Sequence, residues 1–254
     1  MIPKKLHYVW VGGGKFNDKM LACMASWKKF CPDYEIIEWN EKNFDMNRSP
    51  LIKRAIEKRN WALAADMMRI MILFEHGGIY VDTDIEIQKP LDEFLQHEFF
   101  AGYESNHWVN TAIIGSVLNH PILKTLVDIY TTDLSLEMSN LLTVHILSAV
   151  IGKLYGIRGN GKTKILPNGV AIYNKKYFYP ISYLTHRLHI KPETHTIHYY
   201  TGTWGTERQI KAFKFFRIAF WPFLFPPIYA PFEYLTAKSY RRRANKILKK
   251  AATR

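Results

Sequence analysis

The stretch ALAADMMRIMILFEHGGIYVDTDIEI, residues 62–87, decides the fold. Leu63, Met67, Ile70 and Phe74 recur at helical spacing and form the buried stripe of a helix from about Trp61 to His76. Gly77-Gly78 stops that helix, as a C-terminal glycine cap does. A strand is predicted next, from Ile79 to about Ile87, with Ile79, Val81, Thr83, Ile85 and Ile87 on one face. Tyr80, Asp82 and Asp84 share the other. On the helix, Asp66 and Arg69 are three apart and lie on one flank, within reach of one ligand. Carboxylates as close as those of Asp82 and Asp84 repel unless a proton or cation joins them, and a hard divalent ion is their natural partner. The competing reading makes them solvated edge residues, since a bare D-x-D is a weak motif.

Outward from this stretch, strand-like and helix-like patterns alternate, which predicts an α/β fold with a mostly parallel sheet. A strand at Leu6–Val11 leads through Gly12-Gly13-Gly14 to a helix around Lys19–Phe30, and a second strand covers Tyr34–Trp39. A helix is expected near Pro50–Lys58. Beyond residue 87 come strands near Phe99–Tyr103 and Thr111–Gly115, then helices near His120–Tyr130 and Asn140–Tyr155. Gly156–Lys164 reads as a polar, glycine-rich loop. With 254 residues, 48% hydrophobic and 22% charged, the chain suits one sizeable folded domain rather than disorder. Cys23 and Cys31 read as two buried thiols of a reducing compartment. The N-terminal segment lacks the apolar run of a secretory signal, so a cytoplasmic location is expected.

The opening IPKKLHYVWVGG, the core AADMMRIMILFEHGGIYVDTD (64–84) and the later IHYYTGTW (197–204) together resemble the DXD glycosyltransferases of family 32. That group includes Och1-type mannosyltransferases, bacterial capsular polysaccharide transferases and, more distantly, clostridial glucosylating toxins. The resemblance implies a GT-A, Rossmann-like fold and a retaining hexosyltransferase that uses a nucleotide-sugar donor, UDP- or GDP-linked. It implies that Asp82 and Asp84 bind Mn2+ or Mg2+, which bridges them to the donor diphosphate, with His198 as a further ligand. By the same likeness, Asp66, Arg69 and Tyr80 line the donor sugar and diphosphate, and Trp10 stacks on the nucleobase. Asn110, in VNTAIIGS, approaches the transferred sugar, and Trp204 reaches the leaving phosphate. His198-Tyr199 departs from the His-His common among relatives. Trp10 also fits a core position, Arg69 a structural pair with Asp66, His198 an interior histidine and Asn110 a turn cap.

The net charge of +13 is unevenly placed: residues 208–254 hold 12 basic residues and one acid, Glu233. This divides the chain into an expected catalytic domain, 1–207, and an aromatic and basic C-terminal segment, 208–254, with an amphipathic helical tail. Prolines and charges interrupt FKFFRIAFWPFLFPPIYAPFEYL (213–235), which argues against a membrane span. Residues 213–254 suit the surface of an anionic membrane instead, the inner face of the plasma membrane in a bacterium. The acceptor would then be a glycan or lipid-linked oligosaccharide in polysaccharide biosynthesis. The alternatives are a nucleic-acid-binding protein, though no recognition motif supports a nucleic-acid partner, and a non-catalytic sugar-nucleotide-binding homologue. A phosphoester hydrolase using the same acids would need more ligands for a second ion.

Overall fold

In the computed structural model, residues 1–138, 143–182, 187–201 and 226–253 are described. The helix predicted from periodicity spans Trp61–His76, here α3, and Leu73 O accepts from the Gly77 N–H at its end. Gly78 follows with φ +99°, a conformation open to glycine, and a Cβ there would meet Lys5 O at 2.8 Å. The glycine pair thus both ends the helix and brings the chain onto the neighbouring strand.

The main sheet has seven strands in the order β2-β1-β3-β6-β5-β8-β7. They are β1 (Lys5–Val9), β2 (Glu35–Trp39), β3 (Gly78–Val81), β5 (Phe99–Tyr103), β6 (Val109–Ser116), β7 (Lys164–Ile165) and β8 (Val170–Tyr173). Strands β1, β2, β3, β5 and β8 run one way, and β6 and β7 run against them. Helices α2 (Pro50–Glu57), α3, α4 (Pro121–Tyr130) and α5 (Thr143–Tyr155) cover one face, in a core that includes Met67, Ile70, Leu126 and Val150. On the other face Trp27 of α1 (Asp18–Phe30) packs with Ile79, Val81, Phe94 and Phe178. Two separately filled cores on opposite faces give the layered α/β arrangement.

The single strand expected over 79–87 is not continuous. β3 ends at Val81, the chain turns through 82–84, and β4 (Ile85–Ile87) joins β9 (Thr196–His198) in a separate two-stranded sheet. Two backbone bonds make the turn: Asp82 N–H donates to Ala112 O at 2.8 Å, and Ile85 N–H to Asp82 O at 3.0 Å. The apolar side chains Ile79, Val81, Ile85 and Ile87 still share one core, so the alternation persisted while the backbone changed sheets. Trp27 Nε1–H, donating to Ile85 O at 2.7 Å, fixes β4 against α1.

The final helix, α6 (Pro226–Ala252), is docked on the domain, with Ala244, Ile247 and Leu248 buried in the α3–α5 core. Arg242, Arg243, Lys246 and Lys249 face outward. Among the described residues no helix is long and apolar enough to cross a membrane. Cys23 and Cys31 are buried and unbridged. The expected boundary at residue 207 and the aromatic run 213–225 lie outside the described residues.

Candidate active site

The carboxyl ends of parallel strands are where α/β sheets expose ligand-binding side chains, and Asp82 follows the last residue of β3. Its carboxylate is held on one side by α3. Arg69 Nη2 lies 3.0 Å from Asp82 and 2.9 Å from Asp66, so the guanidinium bridges the two acids. Tyr80 O–H donates to the same Asp82 carboxylate at 2.9 Å, and Arg69 sits over the Tyr80 ring at 4.5 Å. Arg69 Nη1 also donates to Thr111 O at 2.8 Å and to Thr111 Oγ1 at 3.2 Å. Arg69 is 5% exposed, and the burial of its charge is sustained by the pairing with Asp66, Asp82 and Thr111.

Register between β4 and β9 completes the site. Ile85 stands opposite His198, so the residue before Ile85 meets the His198 ring: His198 Nε2 is 3.2 Å from Asp84 Oδ1. The second Asp84 oxygen accepts from Thr201 N–H at 2.8 Å and Thr201 Oγ1 at 3.0 Å. One ligand atom from each of Asp82, Asp84 and His198 lies within 4.8 Å of the others. His198 Nδ1 is buried with no hydrogen-bond partner among the described residues, leaving Asp84 as that ring's one polar anchor.

Burial favours the uncharged forms here, and the neighbours decide the outcome. Burial raises the Asp82 carboxyl above its ordinary value despite the Arg69 charge. For Asp84 the same burial is outweighed by His198 and by the Thr201 hydrogen bonds, which hold it well below the carboxylate range. His198 is raised: burial alone would lower it, but the Asp84 charge and hydrogen bond prevail. Burial also raises Asp66 against the pull of Arg69. The carboxyl groups of Asp66, Asp82 and Asp84 outnumber the one arginine, and a divalent cation supplies positive charge of the kind that this imbalance favours. Carboxylate oxygens and an imidazole nitrogen are ligands for Mg2+ or Mn2+, so the residues present fit the metal.

Six of the predicted site residues therefore converge: Asp66, Arg69, Tyr80, Asp82, Asp84 and His198. Asn110 stands next to Thr111 on β6, buried, with Oδ1 accepting from Ala112 N–H at 2.6 Å and Nδ2 donating to Glu104. Trp10 follows β1, half-buried, its ring 4.3 Å from Phe16 and its Nε1–H donating to Gly14 O at 2.7 Å. Trp204 lies outside the described residues. Thr111, Thr201 and Glu104 also line the site, and none of them is among the residues that the sequence singles out. Thr201 falls inside the motif 197–204 and had a positional signal, whereas Thr111 and Glu104 had none.

Residues 17–101 match the family described as a glycosyltransferase sugar-binding region containing a DXD motif. Over 126 residues the chain is 26% identical to inositol phosphoceramide mannosyltransferase 3 of Schizosaccharomyces pombe, covering 48% of this chain and 35% of that one. It is 27% identical over 134 residues to subversion of eukaryotic traffic protein A of Legionella pneumophila, covering 42% of this chain and 20% of that one. The match thus spans about a third and a fifth of those relatives' lengths. An uncharacterized glycosyltransferase of Acanthamoeba polyphaga mimivirus is 27% identical over 194 residues, 71% of this chain and 74% of its own. The solved structure of PaToxG glycosyltransferase superposes with a TM-score of 0.50 at 16% identity, over 61% of this chain and 70% of that one. That likeness is one of fold, and the fold is of the GT-A type.

Proposed function

We propose that the chain transfers a hexose from a nucleotide sugar with the help of a divalent cation, a reading supported by the match of residues 17–101 to a glycosyltransferase sugar-binding region containing a DXD motif and by the Asp82–Asp84 pair within it. The observation that carries this reading is the meeting of Asp82, Asp84 and His198 within 4.8 Å, beside the buried Arg69. The cation supplies neutralisation of the negative charge that builds on the departing diphosphate. Arg69, fixed by Asp66, Asp82 and Thr111, adds a second positive charge to that side of the pocket. Asn110 stands for the sugar side, and Trp10 for the nucleobase. We assign the reaction a retaining outcome, by the family resemblance, and name no nucleophile or general base.

The acceptor we propose is a lipid-linked or other membrane-borne glycan, in surface polysaccharide synthesis at the inner face of a plasma membrane. Two observations support it: the outward Arg242, Arg243, Lys246 and Lys249 of α6, and a relative whose name identifies an inositol phosphoceramide, a lipid, as its substrate. The test of the catalytic reading is hydrolysis of UDP-glucose, UDP-galactose and GDP-mannose by the full chain with Mn2+ or with a chelator. Metal-dependent hydrolysis of at least one donor is expected, lost in Asp82→Ala and Asp84→Ala while both variants stay folded. Turnover equal to the parent in both variants would remove the proposal.

A further inference from the structure

Strand β6 runs past the acidic centre through Asn110, Thr111 and Ala112. Thr111 is bonded to Arg69, and Ala112 O accepts from Asp82 N–H at 2.8 Å, so this run is clamped to the site. The Asn110 side-chain amide is locked at both ends. Its oxygen accepts from Ala112 N–H at 2.6 Å, which fixes which way round the amide lies. Its nitrogen donates to the Glu104 carboxylate. An amide nitrogen carries two N–H groups, and among the described residues the second one has no acceptor. Glu104 is itself held in place, its backbone N–H donating to Trp108 O at 3.1 Å across the β5–β6 turn.

A buried N–H donor and a carboxylate acceptor therefore stand side by side, next to the residues that hold the metal ligands. A hydroxyl group both donates and accepts one hydrogen bond, and this pair is complementary to it. We propose that Glu104 and Asn110 together receive one hydroxyl of the transferred sugar, Glu104 as acceptor and Asn110 as donor, so that Glu104 helps decide which sugar is used. The inference rests on the glycosyltransferase reading above. A site built to bond a hydroxyl rejects the analogue lacking it, because the buried second N–H of Asn110 then loses its acceptor.

The test compares the full-length parent with Glu104→Gln, which keeps the side chain's shape and removes its charge. Each is assayed for Mn2+-dependent hydrolysis of whichever of UDP-glucose, UDP-galactose and GDP-mannose the parent uses best. The variant is expected to lose about 10- to 100-fold in kcat/KM on that donor. Its affinity for the corresponding nucleoside diphosphate with Mn2+ stays within about twofold, because that ligand has no sugar. Among the monodeoxy versions of the same donor, one should bring parent and variant to within about twofold of each other, since the hydroxyl that Glu104 holds is then already gone. Glu104→Ala should show the same pattern. An unchanged kcat/KM on the intact donor would overturn the proposal. So would an equal loss on every deoxy donor, or a nucleoside diphosphate affinity that falls in step, since each is the mark of a structural role. A parent that hydrolyses none of the three donors would contradict the glycosyltransferase reading itself, and this inference with it.

Discussion

Arg69 holds the acidic centre together, because one guanidinium bridges Asp66 and Asp82 where neither reaches bulk water freely. Arg69→Met fills a similar volume and leaves two carboxylates without their countercharge. Removing one partner of a buried pair costs about 3–5 kcal/mol, so denaturant unfolding should register a loss of that order, together with loss of transfer. His198 makes a second prediction. Its protonated form pairs with Asp84 and is favoured up to a pH above its ordinary value, whereas metal binds the neutral ring. Mn2+ affinity is therefore expected to fall as pH drops, beginning above pH 6.5, and His198→Ala should bind weakly with a flatter pH profile. Identical calorimetric titrations of parent and variant would exclude His198 as a ligand. The Asp66–Arg69 spacing and the Asp82–Asp84 pair are short-range patterns, and the sequence displays both. Glu104 and Thr111 are legible only in three dimensions: Thr111 meets Arg69 of α3 across 42 residues of sequence, Glu104 meets Asn110 across the β5–β6 turn, and neither carries a period that announces the contact.

Among the elements, α3 was the most readable, because its apolar stripe and its closing glycines are both local signals. Gly78→Ala tests the close approach behind that reading. The new Cβ would stand 2.8 Å from Lys5 O at a φ of +99°, which should destabilise the domain by at least about 1 kcal/mol, measured as a lower midpoint of urea unfolding. The break between β3 and β4 was not readable. Alternation of side chains is the same whether or not the backbone changes partners, and the change is made by Ala112 and β9, both distant in sequence. Helix α4 carries a pH prediction of its own. His120 caps it, its Nδ1 accepting from Ile122 N–H at 3.2 Å, and burial lowers its pKa to about 4. Between pH 6.5 and 4 the unfolded chain binds a proton that the folded one refuses. Stability from this group is thus full above about pH 6.5 and is lost as pH falls towards 4. His120→Asn, which caps without titrating, should flatten the acid limb of Tm against pH. An unchanged limb would contradict the assignment.

Across the whole molecule, the sequence separated a near-neutral main part from a basic tail, but not how the tail sits. Ala244, Ile247 and Leu248 of α6 are buried in the α3–α5 core, a contact made across most of the chain length and marked by no local pattern. Truncation before α6 would therefore strip the core as well as the basic surface. Charge reversal is the sounder test of membrane docking: Arg242→Glu, Arg243→Glu, Lys246→Glu and Lys249→Glu combined should leave Tm nearly unchanged and release the protein from phosphatidylserine-rich vesicles, each cation being worth roughly 1 kcal/mol at such a surface. Equal sedimentation of parent and variant would contradict docking by this face. The molecule's chemistry turns on whether its acids and His198 hold a cation, and the most direct measurement is an anomalous difference map from a crystal grown with Mn2+ and UDP. The account predicts one strong peak bounded by Asp82, Asp84 and His198. A map with no peak there, or with the ion bound elsewhere in the pocket, would contradict it.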